Sequence, residues 1–489
     1  MNVGNKLINK KLLIVTLVIL ILHINFVSQS DIMALIALSE FFVLLASVLI
    51  SGSKQFLLFL LLFTSVSFDV IEFVGPSLDS LYSVSNLPFL GFLGYFCLIG
   101  LAFFVFFISN KRKPKINNLD LFKLLKFSAY IIFSGIIMAS FVFSLNDNNI
   151  PIDGVLYFFK NDFGKYFTVC ATIILYILHI CSDHHFYYKI KQYLSTIIVA
   201  IVLAAPVSVV SGFTGFYGDS ETILMPLTFF FSTCTILFLF DEGYKKNKVL
   251  FLVCSIISLY IQFFYSNSLG GKSWIVLIFI SYFLFARQLK MAFKISLVAI
   301  VLIILSGISF SNYDSADSEA SLLDKKLGEA MSMLAFSSVN YYENMSDSPK
   351  ARIDEFINVL DEFKEKPILS IFGKGFGGSV KDHNNYFGSF KAAYFSDREY
   401  SYNSFVFLHE SINVIFLKFG FFGLFLFLSL IVKISRNPSS NPWLAIGFIW
   451  LIFFFGYTTS LGIFGVSSLV LGLYEANLSR VGLKAKNAE

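Results

Sequence analysis

Apolar runs of about 20 residues, the length that carries a helix across roughly 30 Å of hydrocarbon, recur throughout this 489-residue chain. In hydrocarbon every backbone N–H and C=O needs a partner within the protein, which restricts a chain patterned this way to a helical bundle. The runs predict helices near 12–28, 33–50, 55–74, 87–109, 127–146, 165–182, 193–211, 221–240, 248–265, 272–286, 291–310, 409–434, 442–459 and 461–475. The last two read either as separate spans or as one re-entrant hairpin, giving about 12–14 spans in all. Only 14% of residues are charged, against about 25% in a soluble chain, and mean hydropathy is +0.74. The expected fold is therefore an all-α polytopic membrane protein. Leu12–Ser28, preceded by Lys6, Lys10 and Lys11, has the make-up of a signal-peptide core. No small-residue cleavage site follows it, so it is expected to stay as the first helix.

Basic residues set the expected orientation. They precede the first helix (Lys6, Lys10, Lys11) and follow the second (Lys54), fourth (Lys111, Arg112, Lys113, Lys115), sixth (Lys189, Lys191) and eighth (Lys245, Lys246, Lys248). They also follow the tenth (Arg287, Lys290), twelfth (Lys433, Arg436) and last (Arg480, Lys484, Lys486). Every even-numbered exit is basic, which predicts both termini on the cytoplasmic side. The formal charge of +5 is accounted for by this clustering and implies no nucleic-acid partner.

One polar stretch, 311–408, interrupts the apolar pattern and is expected to face outward. It divides the chain into N-terminal helices (1–204), central helices with glycine-containing turns (205–310), the large loop (311–408) and C-terminal helices (409–489). Within the loop, Asp347-Ser348-Pro349 is a helix start, with a capping side chain and proline in the first turn. Ile353, Phe356, Ile357, Leu360 and Phe363 then recur at helical spacing up to Pro367. Such an amphipathic helix is expected to lie along the membrane surface or cover a cavity. A second helix is expected over Leu322–Leu334, and Gly373-Lys374-Gly375-Phe376-Gly377-Gly378 is a chain-breaking turn.

Few residues qualify for chemistry. The five cysteines (Cys97, Cys170, Cys181, Cys234, Cys254) lie in or beside apolar runs, at spacings that suit neither a disulfide framework nor zinc. Asp314 and Asp317 read as a solvated acidic patch, and Asp69 and Glu72 either line a cavity or stabilise the bundle. Arginine is scarce, six among 37 basic residues, and only Arg352 and Arg398 fall on the expected outward face. Arg352 either pairs with Glu355 or with lipid phosphate, or holds an anionic substrate. Arg398, between Asp397 and Glu399, is either a solvated surface charge or a second anion ligand, and Lys272 either snorkels or adds a point charge. His409 opens the helix that re-enters the membrane, about 16 Å above Gly420 by helical rise. Gly420 and Gly423, three apart, are expected to let a neighbouring helix approach closely. His383, followed by Asn384, is read as a loop surface residue, and His184 and His185 as cytoplasmic without ligand partners.

Arg352 opening an amphipathic helix, the Phe372–Gly377 turn (FGKGFG), and His409 followed by Gly420, Gly423 and Leu424 together resemble the signature region of the O-antigen polymerase and O-antigen ligase superfamily. Weaker likenesses are the turns Ser268–Trp274, with Lys272 where the family has arginine, and Gly212–Asp219, which lacks the usual preceding arginine. The similarity covers about 205–430; Glu410 stands where the family has asparagine after the histidine, and His383-Asn384 supplies that dipeptide elsewhere.

The resemblance implies a GT-C-like bundle in a bacterial inner membrane, with a periplasmic loop and a donor glycan on undecaprenyl diphosphate. A chain-length regulator is an implied partner, beside the lipid-linked oligosaccharide and membrane lipid. His409 and Arg352 would be catalytic. Lys272, Arg398, Lys374 and His383 would bind diphosphate or glycan, and Gly373, Gly375, Gly420 and Gly423 would be structural. A guanidinium suits a leaving diphosphate because it holds phosphate oxygens through paired hydrogen bonds. Imidazole suits an acceptor hydroxyl as base. Transfer without a metal or other cofactor is expected. The alternatives are delivery of the finished glycan to lipid A–core by a ligase, or transport by a flippase, for which shorter loops and more charges within the spans would be expected.

Overall fold

The computed structural model describes residues 8–26, 30–65, 91–110, 116, 118–144, 152–210, 248–264, 347–382, 387, 395, 397–406, 408, 410–435, 441–453 and 462–486. In this part of the chain the structure is helical, apart from one antiparallel bridge between Val380 and Phe405. The expected helices near 221–240, 272–286 and 291–310 and over Leu322–Leu334 lie outside the described residues, as do Asp69, Glu72, Asp314, Asp317, and the turns 212–219 and 268–274.

The helices are α1 (Lys10–Phe26), α2 (Ser30–Ala46, extended by a π-turn Ser47–Ser51), α3 (Ser53–Ser65), α4 (Gly91–Ser109), α5 (Leu119–Ser144), α6 (Ile152–Ser182) and α7 (His184–Val210). They continue as α8 (Lys248–Phe264), α9 (Asp347–Glu365), α10 (Pro367–Phe372), α11 (Asp397–Tyr402), α12 (Ser411–Ser435), α13 (Pro442–Phe453) and α14 (Gly462–Lys486). Among the described residues, four stretches are long and apolar enough to cross a membrane: Leu119–Phe143, Gly154–Ser182, His185–Ala204 and Ser411–Ser435. Shorter apolar helices accompany them, and the described residues have the make-up of a helical membrane protein.

Three helices begin well before their apolar runs do. α5 starts eight residues ahead of the expected 127, because Asn118 caps it: its Oδ1 accepts the backbone N–H of Asp120 (2.9 Å) and Leu121 (3.3 Å). Asp183 caps α7 in the same way, accepting the His185 N–H at 2.9 Å, and also pairs with Lys54 at 2.6 Å. α6 starts 13 residues before the expected 165, and the charged residues that interrupt its hydrophobicity include Asp162, which is fully buried.

At one end of the bundle Glu475 of α14 accepts hydrogen bonds from Tyr187 (2.5 Å), Lys191 (3.1 Å) and Asn441 (2.5 Å), tying α7 and the start of α13 to it. Asn118 joins this end through the Leu473 carbonyl, at 3.1 Å. α13 and α14 form an antiparallel pair: a Cβ at Gly447 would fall 2.3 Å from Leu469, one at Gly465 1.9 Å from Trp450, and one at Gly472 2.4 Å from Leu444. Gly447 and Gly472 let the two backbones meet, and Gly465 makes room for the Trp450 ring.

Candidate functional site

The other end of the bundle is organised around a break in α12. Gly420 has φ +64° and ψ −167°, a conformation essentially confined to glycine. In an uninterrupted helix the carbonyls of Leu417 and Lys418 would face N–H groups one turn further on. Beside the break they accept instead from the loop: Lys374 N–H reaches Leu417 O and Gly375 N–H reaches Lys418 O, both at 2.8 Å. The next residue, Phe376, donates to Gly135 O of α5 at 3.0 Å. The turn thus docks by backbone hydrogen bonds into two candidate spans, the condition under which non-helical backbone is tolerated at membrane depth.

The expected role of Gly420, admitting a neighbouring helix, is corrected by this geometry. A Cβ there would stand 2.3 Å from Ile371 O, so what approaches is the chain of α10, not a spanning helix. Gly373 (φ +78°) answers it, with Lys418 backbone 2.2 Å from the position of its missing Cβ, and Gly375 (φ +77°) meets Ala139 of α5 just as closely. At Gly423 the tight neighbour is Phe419 of the same helix, 2.3 Å from where its Cβ would be, while the Tyr130 ring of α5 stays at ordinary contact distance, 3.4 Å.

Two buried ion pairs hold the turn. Lys418, on α12, pairs with Asp162 of α6, and the same Asp162 Oδ2 accepts the Gly377 N–H at 2.7 Å. Lys374 Nζ lies 2.6 Å from Glu362 Oε1 and donates to Ser379 O at 2.8 Å, with its side chain wholly buried. Lys374, expected to bind diphosphate, is therefore committed to holding the turn, because the carboxylate of α9 has drawn it inward. Phe376 fills the space between α6 and α12, with ring centroids 5.7 Å from Phe163, 6.2 Å from Tyr166 and 6.0 Å from Phe419.

Arg352 sits at the rim of this assembly. Its Nε lies 2.6 Å from Glu410 Oε1, and the pair remains partly exposed. Asn413, one turn into α12, donates to Arg352 O (3.0 Å) and to Glu355 Oε2 (3.1 Å). Arg352 thus pairs with Glu410, a partner not considered from the sequence. Arg398, on α11, lies over the Tyr157 ring of α6, 4.2 Å from its centroid, an arrangement that fixes an exposed guanidinium. His409, His383 and Lys272 lie outside the described residues.

α9 spans the predicted interval and buries side chains of both kinds, with Ala351, Val359 and Phe363 in the core. Asp354, Glu355, Asn358 and Glu362 are buried, while Ile353 and Phe356 are 38% and 37% exposed. Its buried polar residues meet Asn413, Lys374 and Asp382, the last accepting from Asn358 Nδ2 at 3.2 Å. Behind it, Phe387, Phe395 and Phe405 extend the core of the bundle, with ring centroids 4.7–4.8 Å apart, and Ser404 Oγ donates to Ser379 Oγ at 2.5 Å. Glu399 Oε1 accepts the Val406 N–H at 2.7 Å. Burial, then the charges of Glu399 and Asp382, pushes the Tyr400 hydroxyl above its ordinary pKa. Burial, then Lys374 and Lys381, lowers that of Lys366. Among the described residues no group of three His, Cys, Asp or Glu is placed to hold a metal ion.

Sequence reasoning missed Asp162 and Lys418. The available signal was Lys418 itself, a charge inside an apolar run, which needs a partner in the bundle. Comparison with protein-family models, curated proteins and solved structures finds no match.

Proposed function

We propose that this protein is a polysaccharide polymerase of the O-antigen type. It transfers a growing glycan from undecaprenyl diphosphate to a lipid-linked repeat unit, at the periplasmic face of a bacterial inner membrane. The observation that carries the reading is the meeting of Arg352 and Glu410. These residues are 58 positions apart in sequence, and Glu410 directly follows His409. The two parts of the chain that supply the arginine and the histidine of the resemblance converge at the mouth of α12.

The chemistry follows from the residue types. The guanidinium of Arg352 offers a planar set of donors to the diphosphate as it leaves with its added negative charge. His409 takes the proton of the attacking sugar hydroxyl. The docked turn and the two buried ion pairs give Arg352 a rigid base, as a positioned site requires. Arg398 is a second cation for glycan or phosphate.

Deleting the gene is expected to leave lipopolysaccharide carrying a single repeat unit, visible on one gel, since ligation continues without polymerisation. Lipopolysaccharide with no repeat unit at all would overturn the reading in favour of a ligase or flippase.

A further inference from the structure

We infer that α10 and the approach to the glycine turn are embedded in the lipid leaflet on the loop side, with Ile368, Ile371 and Phe372 in contact with acyl chains. Depth is the first ground. The turn bonds to Gly135, nine residues from the end of α5, and to Lys418, seven residues into α12. At 1.5 Å per residue these contacts lie roughly 10–14 Å inside the ends of two candidate spans. Ile371 O meets Gly420 at the same level.

Exposure is the second ground. Ile368, Ile371 and Phe372 are 61%, 49% and 44% exposed, although Leu369 between them is buried. Apolar side chains uncovered by the protein at that depth face hydrocarbon. Continuity is the third. Phe421 and Phe425, just past the break, are 55% and 66% exposed and belong to the outer stripe of α12, a candidate span. An aromatic chain joins that stripe to α9: Phe421 packs on Phe416 (4.6 Å) and Phe416 on Phe356 (5.9 Å). Phe416 itself is buried, and the exposed ends of this chain, Phe421 and Phe356, lie on a membrane helix and on the loop helix, with Ile353 exposed one turn before Phe356. The occupant is the bulk leaflet, because the patch meets the exposed apolar stripe of a candidate span at the level of Gly420.

The test uses single cysteine replacements in the full-length protein in native membranes, opened so that reagents reach both faces. Wild type sets the background. Ile371→Cys and Phe372→Cys should lose most of the labelling by a water-soluble maleimide that Lys364→Cys shows, and recover it in SDS. The wild-type protein should also take up a phospholipid photoprobe, reactive in its acyl chain, on the peptide carrying 368–372. Maleimide labelling of both variants at the Lys364→Cys level would overturn the inference by placing the segment in water. Protection from maleimide without acyl-chain photolabelling would overturn it equally, by showing that protein covers the patch: another part of this chain, a second copy or a partner.

Discussion

Lys418 and Asp162, 256 residues apart in sequence, form an ion pair whose side chains are almost entirely shut off from solvent. Asp162 also accepts the Gly377 N–H, so one carboxylate joins α6, α12 and the glycine turn. Breaking a buried pair by removing one partner leaves an uncompensated charge, a loss of about 3–5 kcal/mol. Lys418→Ala and Asp162→Ala are each expected to cut the yield of monodisperse protein sharply on size-exclusion chromatography. Lys418→Met combined with Asp162→Leu should recover a large part of it, because no charge is then left buried.

Lys374 is expected to behave as a structural residue. Lys374→Met should lower thermal stability in detergent by a comparable amount, and Glu362→Gln by somewhat less, since the amide still accepts a hydrogen bond. Loss of polymer in Lys374→Met with stability unchanged would return this lysine to the substrate.

Gly420→Ala sets a methyl group 2.3 Å from Ile371 O in a backbone conformation that alanine avoids. Strain of this kind costs about 1–3 kcal/mol before the clash is counted. A fall in melting temperature is expected. Gly100→Ala, where a Cβ would meet nothing within 4 Å, should leave it unchanged or raise it slightly.

His409→Ala is expected to abolish long polymer, and His383→Ala to leave most of it. A general acid–base group contributes roughly 10²–10⁴ in rate, enough to erase a ladder of long chains. The reverse pattern would make His383-Asn384 the true counterpart of the family dipeptide.

The helical class and the interval of α9 were legible because apolar periodicity reports them directly. The burial of its polar residues was not, because an amphipathic pattern is read as one apolar face and one wet face. Here Lys374 and Asn413 lie inside, while Ile353 and Phe356 look out. The start of α6 was misjudged for a related reason: Asp162 reads as a loop residue until Lys418 is known to neutralise it. Gly420 and Gly423 were recognised as places of close approach, but spacing alone does not say what approaches. That depended on Ile371, nearly fifty residues away. Glu410, noted only as a departure from a motif, proved to be the residue that meets Arg352.

The most direct test of the central claim is Arg352→Lys, expressed in a strain lacking the gene, with lipopolysaccharide run beside an immunoblot of the membrane fraction. Lysine keeps the charge and loses the planar fork that would hold a diphosphate. The account predicts single-repeat lipopolysaccharide from a variant present at the wild-type level. A wild-type ladder from Arg352→Lys would contradict it, leaving Arg352 as no more than a surface cation paired with Glu410.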